Sequence, residues 1–377
     1  MSNKTNKPSK ASFFATLEGA VRSFVSGAIG PSRAGFFGML AGIAVMFAVI
    51  CWFFNYDTLS GPNGAYVSRS SADSDGAATF RALQVGRSGE TRPLLIILGS
   101  SITASAFASE QLLQTELSQT TGMAWQVAML TTALQSPVDQ INLIQTALGS
   151  EPHNRSHVLI LLGADVIHTG WNNEQILEVE NEPRLGIRSD WADAEIALLG
   201  GTPRPRSDFF LAENTRFFTV NGAAALLRLM VRRAAPRKFD FYAPAGFLPD
   251  ADRKSQLIAD QMRASLALKG SGFLPVIQRL NNKLEQQGVA ELILMQEHPS
   301  PALLEQQKLS EAVEAEMSTY EQFAEENGLK FWPIFQDLPL SEAHYSDDLH
   351  IGDADIQAKF RAALVDNVSD LIGKIEQ

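Results

Sequence analysis

The chain is poor in the residues that carry metal and redox chemistry. Cysteine occurs once in 377 residues, at Cys51. That excludes an intrachain disulfide and any cysteine-built metal site. Histidine occurs six times, and no histidine–carboxylate spacing suggests a metal ligand set; no metal or other cofactor is expected. Cations are outnumbered: 31 Lys and Arg face 42 Asp and Glu, for a formal net charge of −11. This balance argues against nucleic acid as the main partner, because phosphate binding needs a cationic face. A domain without cysteine fits an oxidising envelope compartment, though it does not require one. What the chain has in quantity is apolar: 45% of its residues are hydrophobic, ample for a large buried core.

Charge is absent altogether from Gly35 to Phe54, a run of 20 residues. At about 1.5 Å per helical residue that run spans a hydrocarbon core of about 30 Å. Trp52 and Tyr56 sit at its far end like an interfacial aromatic belt. The run begins too far into the chain for an ordinary cleaved signal peptide, and no small-x-small site clearly follows it. Before it, Lys4, Lys7, Lys10, Arg22 and Arg33 stand against Glu18; after it come Asp57, Asp73 and Asp75, with Arg69 the one cation before Arg81. The positive-inside rule then puts the N-terminus in the cytoplasm and residues 57–377 outside an inner (cytoplasmic) membrane. Residues 1–34 read either as a disordered tail or, over Phe13 to Ile29, as a short amphipathic helix at the membrane surface. Gly38 and Gly42 form a Gly-x-x-x-Gly pair of the kind that packs helices together. The expected organisation is a cytoplasmic tail (1–34), a transmembrane helix (35–56), a polar Ser/Gly/Ala/Asp linker (57–92) and one globular domain (93–377). On that reading a chain starting near Gly86 folds without its anchor.

The domain opens on Leu94 to Leu98, five apolar residues without alternation. That pattern suits a strand buried on both faces. Trp125 to Leu130, Val158 to Leu162, Ala290 to Met295 and Leu329 to Ile334 repeat the strand signal. Helical periodicity covers Ala104 to Leu117, Pro137 to Leu148, Leu303 to Glu326 and Asp353 to Ile375. Strands alternating with helices imply an α/β fold with a mainly parallel sheet and right-handed crossovers. Ligands of such sheets bind beyond the carboxyl ends of the strands. Residues 171–272 break the rhythm with scattered prolines and aromatics, and read as an inserted cap or substrate platform. Within them, Leu226 to Lys238 carries Arg228, Arg232, Arg233, Arg237 and Lys238. It fits a solvated helix face or a patch for an anionic glycan, lipid headgroup or partner.

Directly after the first strand come Gly99, Ser100, Ser101, Ile102 and Thr103. A glycine turn from a strand into a helix brings a serine hydroxyl to backbone N–H groups and to the positive end of a helix dipole. A nucleophile with an oxyanion hole needs that geometry, although most serines so placed only cap the helix. Near the other end, Ser346-Asp347-Asp348-Leu349-His350-Ile351-Gly352 precedes the last helix. Asp347 is three residues from His350, close enough on a short turn to orient its imidazole. Asp348 is the rival orienter.

An early strand-end serine with a late Asp-x-x-His resembles the SGNH (GDSL-type) hydrolase superfamily. Ser101 matches the nucleophile, Gly99-Ser100-Ser101 standing where that family has Gly-Asp-Ser. Asp347 and His350 match the terminal Asp-x-x-His. Leu159 to Asp165 resembles the third block, with Gly163 in place, Asp165 at the asparagine position and Val166 at the aspartate position. The second block corresponds to Val127 through Thr132, where no glycine is present. Gly-Ser-Ser looks more like the membrane-anchored branch that serves cell-envelope and exopolysaccharide acylation.

The resemblance implies a three-layer α/β/α sandwich, SGNH- or flavodoxin-like. It also implies acyl transfer through a Ser101 ester, with His350 as base and Asp347 as its orienter. O-acetylation of an envelope or secreted polysaccharide is the expected reaction, with a membrane-bound O-acyltransferase as acyl donor. A carbohydrate or acyl esterase of the same fold, and a non-catalytic glycan-binding assembly subunit, are the alternatives. Gly99, Gly163, Asp165 and His298 are the accessory candidates for oxyanion or substrate contact. An ionised Asp165 accepts hydrogen bonds and cannot replace an asparagine donor. His298 follows a strand and so lies at the ligand edge; His168 follows the third block. A structural histidine is the competing reading for both.

Overall fold

The computed structural model describes residues 33–53, 74–132, 135–149, 154–167, 171–181, 187–203, 205, 251–269 and 271–375. The chain falls into two compact units, Met1–Asn55 and Tyr56–Gln377.

In the first unit, α1 is a helix of 21 residues, Arg33–Phe53. It covers the charge-free run as far as Phe53, and Phe37, Leu40, Ile43, Val45, Phe47 and Val49 are exposed on it. Among the described residues, no helix is long and apolar enough to cross a membrane. The expected surface helix at Phe13–Ile29 lies outside the described residues.

The second unit is α/β. Its elements in order are α2 (Ser74–Arg87), β1 (Leu94–Leu98), α3 (Ser101–Phe107), α4 (Glu110–Thr121), β2 (Gln126–Met129), α5 (Pro137–Leu148), β3 (Val158–Ala164), α6 (Asn173–Asn181), α7 (Asp190–Leu198), α8 (Ala251–Leu268), α9 (Phe273–Gln287), β4 (Glu291–Gln296), α10 (Pro301–Gln306), α11 (Ser310–Glu326), β5 (Lys330–Phe331), α12 (Ile334–Asp337) and α13 (Ala354–Ile375). The strands form one five-stranded sheet in the order β2-β1-β3-β4-β5. All its neighbours pair in parallel. The chain leaves β1 toward one edge, then returns past it to β3. The order therefore reverses at β1 and β3, and the crevice beyond their carboxyl ends is where such folds bind ligands.

β1 and β3 are apolar throughout because both faces are covered. Leu95, Ile97, Val127, Leu159, Leu161, Ile293 and Met295 join one cluster with Phe107, Leu113, Leu117, Phe360, Leu364 and Val368 of α3, α4 and α13. The alternate residues Leu94, Ile96, Leu98, Ile160, Leu162 and Leu294 are fully buried as well; α5 lies against β1 and α9 against β4.

Three expectations are corrected. The linker expected over 57–92 becomes the helix α2 from Ser74; residues 54–73 lie outside the described ones. Phe80, Ala82 and Val85 of α2 are fully buried. Gly86 comes so close to α5 that a Cβ there would lie 2.0 Å from the Thr146 carbonyl oxygen. The helix expected over Ala104–Leu117 is two helices, broken where Ala108 takes φ 58 and Ser109 caps α4 through Leu112 N. The helix expected over Leu303–Glu326 is likewise broken, at Lys308 with φ 55. The described parts of the 171–272 insertion include the helices α6, α7 and α8, while the basic run Leu226–Lys238 lies outside the described residues.

Burying a Phe, Leu or Val contributes about 1.5–3 kcal/mol each. Phe80, Leu83 and Val85 together thus supply roughly 4.5–9 kcal/mol, comparable to a whole domain's net margin of about 5–15 kcal/mol. A chain starting at Ser88 is therefore expected to be insoluble or to lose its cooperative melting transition, and one starting at Ser74 to retain it. Equal Tm values for the two would show that α2 is dispensable.

Candidate active site

The turn after β1 is fixed at every residue. Gly99 has φ +143, a conformation that residues with a Cβ rarely adopt. Its N–H donates to Gln135 Oε1 at 2.8 Å, and its carbonyl accepts from Thr132 N at 3.2 Å. Gln135 in turn donates to the Leu130 carbonyl at 2.7 Å, so the turn is stitched to the segment following β2. Ser100 is the N-cap of α3: its extended backbone lets Oγ accept from Ile102 N at 3.0 Å. Ser101 is the first residue of the helix.

The acid loop folds back on itself before α13. Tyr345 and Ile351 form an antiparallel bridge, and Ser346 N donates to the His350 carbonyl at 2.8 Å. Ile351 N also donates to Ser105 Oγ at 3.0 Å, which sets the loop's register against α3. The loop thereby delivers its imidazole to the turn after β1. His350 Nε2 lies 2.8 Å from Ser101 Oγ, and Nδ1 lies 2.8 and 2.9 Å from the two carboxylate oxygens of Asp347. Asp347 Oδ1 also accepts from the backbone N–H groups of Leu349 and His350, each at 2.9 Å. Burial pushes the Asp347 carboxyl up, but the hydrogen bond and charge of His350 and the two backbone donors outweigh it. They hold the carboxyl well below the usual carboxylate range. An ionised Asp347 fixes the proton on Nδ1 and leaves the Nε2 lone pair facing the Ser101 hydroxyl. Ser101, His350 and Asp347, 249 residues apart at the widest, are thus one hydrogen-bonded chain. The rival Asp348 points elsewhere: its Oδ2 accepts from Ser255 Oγ.

One residue of this site carried no motif. Glu297, the first residue after β4, is fully buried beneath the turn after β1. Its Oε1 accepts from Ser100 N at 2.9 Å, from Thr103 N at 3.3 Å and from Thr103 Oγ1; its Oε2 accepts from Ser100 Oγ at 2.5 Å. The carboxylate therefore straps the residues on both sides of Ser101. Burial, then the charge of Asp165, push it up to about 7, against the pull of its donors.

The accessory candidates divide around this glutamate. A Cβ on Gly99 would lie 2.7 Å from Glu297 Oε1, and one on Gly163 would lie 2.3 Å from Thr103 Oγ1 and 2.7 Å from Glu297 Oε1. Both glycines make room for the strap. Asp165 is buried after β3, and its Oδ1 accepts from Ile167 N at 2.6 Å. That oxygen closes a local turn and acts as an acceptor. His298 bonds locally: Nδ1 lies 2.7 Å from the Pro299 carbonyl, and Tyr345 Oη donates to the His298 carbonyl at 3.1 Å. Burial lowers its basicity, and no described hydrogen bond joins it to the triad. His168 lies outside the described residues. Among the described residues, no group of His, Cys, Asp and Glu could hold a metal ion.

Neither a family model nor a curated protein matches the chain.

Proposed function

We propose that the chain is a membrane-anchored, extracytoplasmic serine O-acyltransferase of SGNH type. The observation that carries this reading is the unbroken Ser101–His350–Asp347 hydrogen-bond chain at the carboxyl end of β1. His350 Nε2 takes the Ser101 proton as Oγ attacks the acyl carbonyl. The imidazolium is stabilised by Asp347 and returns the proton to the leaving group, leaving an acyl ester on Ser101. A hydroxyl of the acceptor then repeats the sequence in reverse, His350 taking its proton and restoring Ser101. The Ser101 N–H at the start of α3 is the first oxyanion donor this reading calls for.

Residues 35–56 are the proposed anchor, with the domain on the far side of the inner membrane. The support is the charge-free run and the basic flank before it in the sequence, and the large apolar side chains exposed along α1; the reading rests on these although no described helix is long and apolar enough to cross a membrane. The acceptor class is an envelope or secreted polysaccharide and the acyl group acetyl, supplied by a membrane-bound O-acyltransferase; the motif resemblance carries these choices. A catalytically silent glycan-binding subunit is the second reading. One observation favours it: Asp165 stands as an acceptor where an asparagine donor is expected.

The test is the acetyl content of the polymer together with serine-directed phosphonate labelling, in cells expressing the full chain. Ser101→Ala is expected to lose both. Ser100→Ala is expected to keep labelling in its folded fraction. It removes a helix cap, worth about 1 kcal/mol, and one donor to Glu297. Full labelling of Ser101→Ala rules out Ser101 as nucleophile; wild-type acetyl content in that variant leaves the binding subunit standing.

A further inference from the structure

The acid loop is held from outside the sheet by the insertion. Lys254 Nζ, in the first turns of α8, donates to Asp347 Oδ2 at 3.1 Å. The next residue, Ser255, donates from its hydroxyl to Asp348 Oδ2. Two consecutive residues of one helix thus grip two consecutive carboxylates of the loop. The helix that carries them is anchored by packing. Ile258, Ala259 and Met262 of α8 lie buried with Val166, which follows β3, and with Leu303 and Val313 of α10 and α11, and Leu349 of the acid loop packs against this cluster. The stripe at 255, 258, 259 and 262 is one helix face, so burying it aims the Lys254–Ser255 end at the loop. The loop's backbone is tied down there as well, since Ser300 N donates to the Asp348 carbonyl at 2.8 Å.

The two oxygens of Asp347 are then anchored by different means. Oδ1 is fixed by the N–H groups of Leu349 and His350, within the loop itself. Oδ2 is fixed by Lys254 from another element. A charge-assisted bond on the second oxygen resists rotation of the carboxylate about its own bond. That rotation would swing the plane in which Nδ1 of His350 is held, and catalytic geometry tolerates little of it.

We propose that Lys254 is a positioning residue for the chemistry at Ser101, acting through Asp347, and that α8 thereby makes the insertion part of the catalytic apparatus. This rests on the acyl-transfer reading of the site. Two other roles for the ammonium predict different outcomes. If it acted only as a charge, its removal would leave the negative charge of Asp347 uncompensated on that side, favour the imidazolium that forms as the proton moves, and so raise the rate. If it bound an anionic substrate, its removal would weaken binding and leave the chemical step intact.

The experiment is fluorophosphonate inactivation of the full-length protein in membranes, resolved into the saturating rate and the half-saturating concentration. The variants are Lys254→Met, Lys254→Arg and Ser255→Ala. An ion pair in which the lysine is 40% exposed contributes little to folding, so all three are expected at wild-type abundance and Tm. Lys254→Met is expected to lower the saturating rate roughly 3- to 30-fold, within the range of coupling between neighbouring residues, with the half-saturating concentration unchanged. Lys254→Arg is expected to restore the rate to within about 3-fold, since a guanidinium also binds a carboxylate oxygen. Ser255→Ala is expected to have a smaller effect in the same direction. An equal or faster rate in Lys254→Met overturns the proposal while leaving the site reading intact. A raised half-saturating concentration at constant rate overturns it in favour of substrate binding. Absence of Ser101 labelling in the wild type overturns both.

Discussion

Replacing His350 by alanine is expected to lower turnover at Ser101 by about 10²–10⁴-fold or more while the domain stays folded. The first half follows from geometry: Nε2 at 2.8 Å is a base in hydrogen-bond contact with Ser101 Oγ, and a serine hydroxyl near neutral pH is inert without one. The second half follows from what the imidazole leaves behind. Asp347 keeps the N–H groups of Leu349 and His350 and the ammonium of Lys254, so no carboxylate is stranded. Asp347→Asn keeps the shape but favours the other imidazole tautomer, and is expected to lose turnover as well. Stability above the ordinary carboxylate range is expected to drop in His350→Ala too, and its decline toward acid to become shallower. The folded Asp347 carboxyl sits below its unfolded value, so the unfolded chain binds more protons in acid. Its contribution is present above the ordinary carboxylate range and is lost as pH falls; removing the largest favourable partner shrinks it. The measurements are polymer acetyl content and phosphonate labelling at matched protein level, with Tm against pH. Wild-type acetyl content in His350→Ala at normal abundance would sink the catalytic reading.

The parts of the molecule legible in the sequence are those where composition and position say the same thing. Leu94–Leu98 reads as a doubly covered strand and is one. Ser101, Asp347 and His350 were legible because a strand-end serine and an Asp-x-x-His each need only local geometry, which the fold then joins. Helix α2 was hidden by its own packing. Ala78, Ala82 and Gly86 resemble a flexible linker, yet the missing side chain of Gly86 is what lets the helix approach Thr146 and Gly149 so closely. The breaks at Ala108 and Lys308 were hidden because residues other than glycine take positive φ there, at a cost that only tertiary packing offsets. Lys254 and Glu297 had no motif, since each acts on a partner about 90 or 200 residues distant. The one available signal for Glu297 was its place, directly after an apolar strand run at the edge where parallel sheets bind ligands. There a carboxylate passes for an ordinary loop residue.

Glu297→Ala is expected to abolish labelling of Ser101 and to lower Tm by roughly 10 °C. Removing the carboxylate strands the N–H groups of Ser100 and Thr103 and frees both their hydroxyls. Each buried donor left without a partner costs about 1–3 kcal/mol, and cutting one member from a buried charged network costs about 3–5 kcal/mol. For a domain of this size each kcal/mol shifts Tm by about 2–4 °C. The turn also loses what holds Ser100 and Thr103 in register around Ser101, so the nucleophile is misplaced even in molecules that fold. Glu297→Gln separates the two effects: an amide oxygen can still accept from the Ser100 and Thr103 N–H groups, so most of the labelling and Tm should return. The amide removes titration, which gives a further readout. Burial raises Glu297 from its ordinary 4.5 to about 7, so between those values the native state binds more protons than the unfolded one. Stability therefore falls as pH rises across that window and levels off above it. Glu316, pushed up to about 8 by burial and then by Asp165, adds a decline of the same sign that extends higher. Glu297→Gln is expected to make the decline between 4.5 and about 7 shallower and to leave the Glu316 part, which runs from 4.5 to about 8. A Glu297→Ala protein with wild-type Tm and wild-type labelling would show that the strap beneath the nucleophile turn holds nothing in place.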